Sequence, residues 1–168
     1  MPGLQWENGI KPPGLVDENL LIIGPDDFDD EAHVKIVLNE YTLKMESVVV
    51  ILNGVGNHGK HRPKGFTYEG VTAYAYEWAT REFWPMHLHD PGWWGNWDGN
   101  KRKPAISEPK AIKAYRRMNA VILERLIASG KEHAHVIAFW DRKCEVTEEL
   151  MELSREIAPI KNFNIVRI

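Results

Sequence analysis

The residues of this chain that could do chemistry gather where short apolar runs give way to turns. Gly24-Pro25-Asp26-Asp27-Phe28-Asp29-Asp30 follows the first such run. A glycine there permits close backbone approach, and free N–H groups at the start of a following helix suit an anion. The four aspartates oppose a phosphate and fit ribose hydroxyls or an amino group better; Asp29 or Asp30 also serves as a plain helix cap. Asn53-Gly54-Val55-Gly56 ends the second run, and Glu69-Gly70-Val71-Thr72 opens the next helix. Glycines on both sides of a loop that enters a helix suit a phosphate or ribose phosphate. Between them, His58-Gly59-Lys60-His61-Arg62-Pro63-Lys64-Gly65 is a basic insert that could close over an anion or simply lie in solvent. Arg116 and Arg117 offer bidentate phosphate donors, or are ordinary surface arginines. Asp141, at the end of Phe139-Trp140-Asp141, could hold a ribose hydroxyl, and Thr147 lies in the next helix start as a further donor.

Trp93, Trp94 and Trp97 crowd one loop. Exposed aromatics stack on bases or form subunit contacts, and otherwise pack their loop onto the domain. His87 with His89, and His133 with His135, alternate along apolar runs. A zinc site needs three or four converging ligands, so no metal is expected. The lone Cys144 allows no intrachain disulfide and no cysteine-based zinc site. Gly-x-Ser-x-Gly, the Walker phosphate loop and Gly-x-Gly-x-x-Gly at the first strand are all missing.

The elements that must position these residues alternate in type. Strands are expected over 20–24, 47–53, 83–89, 133–140 and 163–168. Helices are expected from Asp29 or Asp30 to about Lys44, and over 70–82, 108–129 and 146–158. Val48-Val49-Val50-Ile51-Leu52 is continuously apolar, which implies burial on both faces of a parallel sheet. Five strands separated by four helices predict a Rossmann-like α/β three-layer sandwich, with strand one central. Such sheets bind ligands beyond the carboxyl ends of their strands, where strand order reverses. The long loops 54–69 and 90–107 belong to that edge.

Whole-chain properties narrow the partners. The 168 residues fit a single domain at 19–168 behind an arm at 1–18, where Pro12, Pro13 and Gly14 block regular structure. Net charge is −3, against bulk-charge binding of nucleic acid. No apolar run approaches the roughly 20 residues of a membrane span, and the first residues contain no signal-peptide core. A cytoplasmic protein with no membrane partner is expected, with the tryptophan loop as a possible homo-oligomer contact.

Taken in order, these segments resemble the SLOG superfamily, in its YspA-like branch. Gly24-Pro25-Asp26-Asp27-Phe28 stands where that branch has Gly-x-Arg-Asp-Phe. Gly70-Val71-Thr72-Ala73-Tyr74-Ala75-Tyr76-Glu77-Trp78-Ala79 stands for its Gly-Ala-Asp turn and Trp-Ala helix end. Arg116-Arg117-Met118 fills its arginine–methionine helix, and Ala138-Phe139-Trp140-Asp141 matches its strand motif without change. The resemblance spans roughly 20–168. It implies binding of a nucleotide or nucleotide-derived signal; no cofactor is expected. Departures fall at Asp26, Thr72 and Val146, and the Pro-Gly-Gly-x-Gly-Thr-x-x-Glu loop of the nucleotide-cleaving lonely-guy branch is missing. Three readings stand: a binder acting as sensor or sequestering protein, a hydrolase of an N-glycosidic or phosphate bond using Asp27, Glu69 or Asp141, and an interaction module using the tryptophan loop.

Overall fold

A computed structural model of the chain describes residues 14–25, 27–53, 70–89 and 109–168. The elements run β1 (Glu18–Ile23), α1 (Glu31–Thr42), β2 (Val48–Asn53), α2 (Gly70–Arg81), β3 (Met86–His89), α3 (Pro109–Leu126), β4 (Ala134–Trp140), α4 (Glu145–Arg155) and β5 (Phe163–Arg167). All pairings are parallel, and the strand order is β3-β2-β1-β4-β5. This is the expected α/β Rossmann-like sandwich with β1 central. The chain steps from β1 to β2 to β3 on one side, then crosses to β4 on the other. Strand order therefore reverses between β1 and β4.

Alternation along the strands builds two cores. Leu21, Ile23 and Ile51 pack with Met118, Ile122 and Leu126 of α3 and with Leu150 and Met151 of α4. Leu20, Ile22, Val50 and Leu52 pack on the other face with Val34 and Leu38 of α1 and with Val71, Ala75 and Trp78 of α2. Every residue of β1 from Leu20 to Ile23 is fully buried, at roughly 1.5–3 kcal/mol of transfer free energy for each large apolar side chain. Helix pairs are fixed by polar contacts as well. Trp78 Nε1 donates to Asn39 Oδ1 at 2.8 Å, tying α2 to α1. Asn19 Nδ2 donates to the Leu126 carbonyl at 3.4 Å, which seats the end of α3 over the start of β1.

Element ends follow local chemistry. Asp30 caps α1, its Oδ1 accepting from His33 N at 3.0 Å. β3 begins three residues later than the expected Phe83, because α2 needs that stretch to terminate. Phe83 takes a left-handed φ of 58°, and the N–H groups of Glu82, Phe83 and Trp84 return to carbonyls of Trp78, Thr80 and Ala79. Likewise His133, expected in the fourth strand, lies in a 3-10 turn (Lys131–His133) that follows Gly130 at φ 100°. The arm's first thirteen residues, both long loops and Asp26 lie outside the described residues.

Candidate functional site

The carboxyl ends of the strands bring together several of the expected residues, and they give some of them tasks in the fold. A Cβ on Gly24 would lie 2.5–2.7 Å from the Val71 side chain. Val71 N also donates to the Pro25 carbonyl at 3.1 Å. The close approach that Gly24 permits is thus that of the first turn of α2, where Gly70 has a φ of 61° and Thr72 is buried. Phe28 packs over the α1–α2 core, edge-on to His33, which in turn meets Phe139 edge-on. Asp27 is exposed.

On the β4 side, Asp141 closes a turn. Its Oδ1 accepts from Lys143 N at 2.8 Å and from Cys144 N at 3.0 Å, while Arg142 takes a left-handed φ of 66°. That oxygen is committed to the backbone, where the sequence suggested a ribose contact. Cys144 then stands at the N-cap of α4 without a side-chain cap bond, and Thr147 is buried in the first turn. The two arginines separate. Arg116 flanks α4 and lies 3.8 Å from Glu149. Arg117 is exposed, on the far side of α3 from the Met118–Ile122–Leu126 stripe at 100° per residue. Gly54, Glu69, Trp93, Trp94 and Trp97 lie outside the described residues.

The site also contains Asn53, one of the residues expected there, and Asn119, to which the sequence gave no role. Asn53 ends β2 with 0% exposure, and Asn119 on α3 has 1%. In both carboxamides, Oδ1 and Nδ2 have no hydrogen-bond partner. Among the described residues, no other side chain leaves two buried polar atoms unpaired. Each orphaned group costs about 1–3 kcal/mol, so two together are a substantial debt in a fold of ordinary stability.

Both amides belong to the α3 side of the sheet. Asn53 follows Ile51 by two residues, hence points to the α3 side, and Asn119 neighbours Met118 in that same core. Asn19 fixes Leu126 at the bottom of β1. Seven helical residues back, Asn119 stands about 10 Å higher. Four strand residues up, Ile23 stands about 13 Å higher, and Ile23 is level with Asn53 through the Ile22–Leu52 register. His89 pairs with Asn53 and His87 with Ile51, so both imidazoles also face the α3 layer. Burial, with the charge of Arg125 adding to it, holds His87 below its ordinary pKa. The one signal in the sequence was an asparagine ending the most apolar strand; Asn119 gave none, because its burial depends on the rotation of α3.

A second polar cluster lies at the opposite edge. Glu18 Oε1 meets His133 Nδ1 at 2.8 Å, and Oε2 meets His135 Nε2 at 2.6 Å. His135 Nδ1 meets the Tyr41 hydroxyl at 2.7 Å. Burial alone would raise the Glu18 carboxyl, but the bonds from His135 and His133 outweigh it and hold it below its ordinary value. The two histidines that alternate in sequence are therefore partners of one carboxylate. Among the described residues, no group of three or more metal-ligating side chains is placed to hold an ion.

No helix among the described residues is long and apolar enough to cross a membrane. Comparison with protein-family models, with curated proteins and with solved structures finds no match.

Proposed function

We propose that this chain binds a nucleotide or nucleotide-derived small molecule at the carboxyl edge of its sheet, as a sensor or sequestering protein of the SLOG type. The observation that carries the reading is the pair of buried, unpaired carboxamides beside the reversal of strand order. A polar ligand would supply the partners that the fold withholds, at the edge where open α/β sheets take ligands. Arg116 adds a cation on the same α3–α4 flank, and its exposed pair with Glu149 is weak enough to exchange for a phosphate. The first turn of α4, uncapped by Cys144, adds backbone donors.

Cleavage of such a ligand is the rival reading. The register of His89 beside Asn53 favours it, since imidazole is the commonest general acid–base group. The carboxylates suggested for that role fit less well: Asp27 is exposed, and Asp141 is engaged in its turn. Native mass spectrometry of the purified chain tests the binding reading directly. A co-purified nucleotide-type mass, or a raised melting temperature with at least one of a set of nucleotides that includes cyclic dinucleotides and ADP-ribose derivatives, is the expected result. No co-purified ligand together with no stabilisation by any of them would overturn it.

A further inference from the structure

Away from the carboxyl edge, the Glu18 cluster leads to a second place where chemistry can occur. Burial raises the Glu18 carboxyl, but the bonds from His135 and His133 outweigh it and leave the group ionised at neutral pH. An ionised carboxylate only accepts. His135 Nε2 therefore carries a proton and donates to Oε2 at 2.6 Å. His133 Nδ1 donates to Oε1 at 2.8 Å and fixes the carboxylate from its other side. With its proton on Nε2, the His135 ring presents a lone pair at Nδ1. The Tyr41 hydroxyl meets that lone pair at 2.7 Å and is the donor. A hydroxyl thus bonds an imidazole, and a carboxylate orients the imidazole from its far side, which is the arrangement that activates a nucleophile.

A groove of about 490 Å³ between α1 and β5 is lined by both Tyr41 and Asn164, and the Asn164 carboxamide also bonds the Tyr41 hydroxyl. The hydroxyl therefore lies at the wall of a cavity of small-molecule size. Burial, with the Glu18 charge adding to it and Asn164 working against it, holds the phenol above its ordinary pKa. It keeps its proton at neutral pH and gives it up only as it attacks. Apart from Tyr41, Asn164 and Glu40, the groove is lined by valine, isoleucine and phenylalanine side chains of α1, β4 and β5. Among the described residues no lysine or arginine lines it, and Glu40 repels anions. An uncharged, apolar acyl chain suits such a lining better than a phosphate or sulfate.

We infer that Tyr41 is a nucleophile for acyl groups seated in this groove, with His135 as its base and Glu18 as the residue that positions the base. Attack on an ester carbonyl forms the bond from Tyr41 Oη to the acyl carbon, and the phenol proton passes to His135 Nδ1. The carbon–oxygen bond of the ester then breaks, and His135 returns the proton to the departing alcohol oxygen. Glu18 holds the imidazolium between the two transfers. This activity is independent of nucleotide binding at the carboxyl edge.

The test treats the full chain with p-nitrophenyl hexanoate or p-nitrophenyl acetate, follows nitrophenolate by absorbance and locates the acyl group by peptide mass mapping. Tyr76, an exposed tyrosine on α2, is the internal reference. Hexanoyl should reach Tyr41 about a hundredfold or more faster than it reaches Tyr76, as a positioned base allows, and faster than acetyl reaches Tyr41. Tyr41→Phe should lose the rapid release of nitrophenolate. His135→Gln should slow acylation of Tyr41 by about a hundredfold. Glu18→Gln should slow it by about tenfold or more, because the base then loses its fixed tautomer. All rates are taken below the melting temperature of the least stable variant. A merely structural Glu18 would, when replaced, loosen the cluster and free the phenol, which raises acylation of Tyr41 relative to Tyr76 instead of lowering it. Acylation of Tyr41 no faster than of Tyr76 in the wild type overturns the inference on its own, even where a variant fails to fold. An unchanged rate in a folded His135→Gln variant overturns it as well. Hexanoate that reaches Tyr41 no faster than acetate overturns the groove as the acyl site.

Discussion

Asp141 and Gly24 separate the work of folding from the work of binding, and each can be tested without a ligand. Asp141 accepts two backbone N–H groups ahead of α4 through one oxygen, much as an N-cap does. Asp141→Ala should cost about 0.5–2 kcal/mol of stability, measured by urea unfolding of the ligand-free protein, whereas Asp141→Asn should recover most of it. An unchanged midpoint in the alanine variant would return Asp141 to the binding role that its sequence position suggests. At Gly24 an added methyl would meet Val71 at 2.5–2.7 Å. Gly24→Ala must then displace the first turn of α2, with a cost of about 1–3 kcal/mol for overpacking. Pairing it with Val71→Ala, which clears the space, should restore part of the loss; simple addition of the two penalties would show that the contact does not limit this site.

At the scale of elements, the two edges of the sheet behave differently with pH. The Glu18 carboxyl lies below its ordinary value because two imidazoles bond it. A depressed carboxyl contributes stability above its unfolded pKa, near 4.5, and that contribution is lost as pH falls through the lower folded value. Glu18→Gln should therefore be less stable than wild type at neutral pH, and the difference should shrink on acidification below about pH 4.5. A gap that stays constant between pH 7 and 3.5 would rule out this linkage. On α3, Arg116→Ala should weaken phosphate-bearing ligands by about 1.5–3 kcal/mol, and Arg117→Ala should leave them unchanged; calorimetric titration of each single variant separates the two. Much of this element scale was legible beforehand. The apolar run Val48 to Leu52 and the strand–helix alternation require a parallel sheet, because only burial on both faces accommodates such runs. Boundaries such as Phe83 and His133 were less legible, since a non-glycine residue in the left-handed region and a 3-10 turn leave no mark in hydrophobic period. The histidines 133 and 135 read as alternating strand residues, and only packing shows that Glu18, over a hundred positions away, joins them.

For the whole molecule, the decisive quantity is how far a ligand shifts the folding equilibrium. The site residues that sequence could indicate were those at strand ends, because topology places every strand end on one edge. Asn119 escaped it, since the rotation of a helix about its axis is fixed by the packing of Met118, Ile122 and Leu126 and by no local signal. A molecule that leaves four buried amide atoms unpaired has stability in reserve for a partner to recover. Ligand at about 100 times its dissociation constant adds about 2.7 kcal/mol. For a chain of this length each kcal/mol raises the melting temperature by about 2–4 °C, so a true ligand should raise it by about 5–11 °C, and by more as concentration increases. A binder returns that ligand unchanged. After long incubation and heat release of the protein, chromatography should recover the nucleotide intact, in at most stoichiometric association with the chain. Free base, ribose phosphate or inorganic phosphate released over many turnovers would establish the hydrolase reading instead. In that case His89→Ala and His89→Gln should abolish turnover while leaving the ligand-induced melting shift in place, because removing an acid–base group takes away transition-state help without removing ground-state contacts.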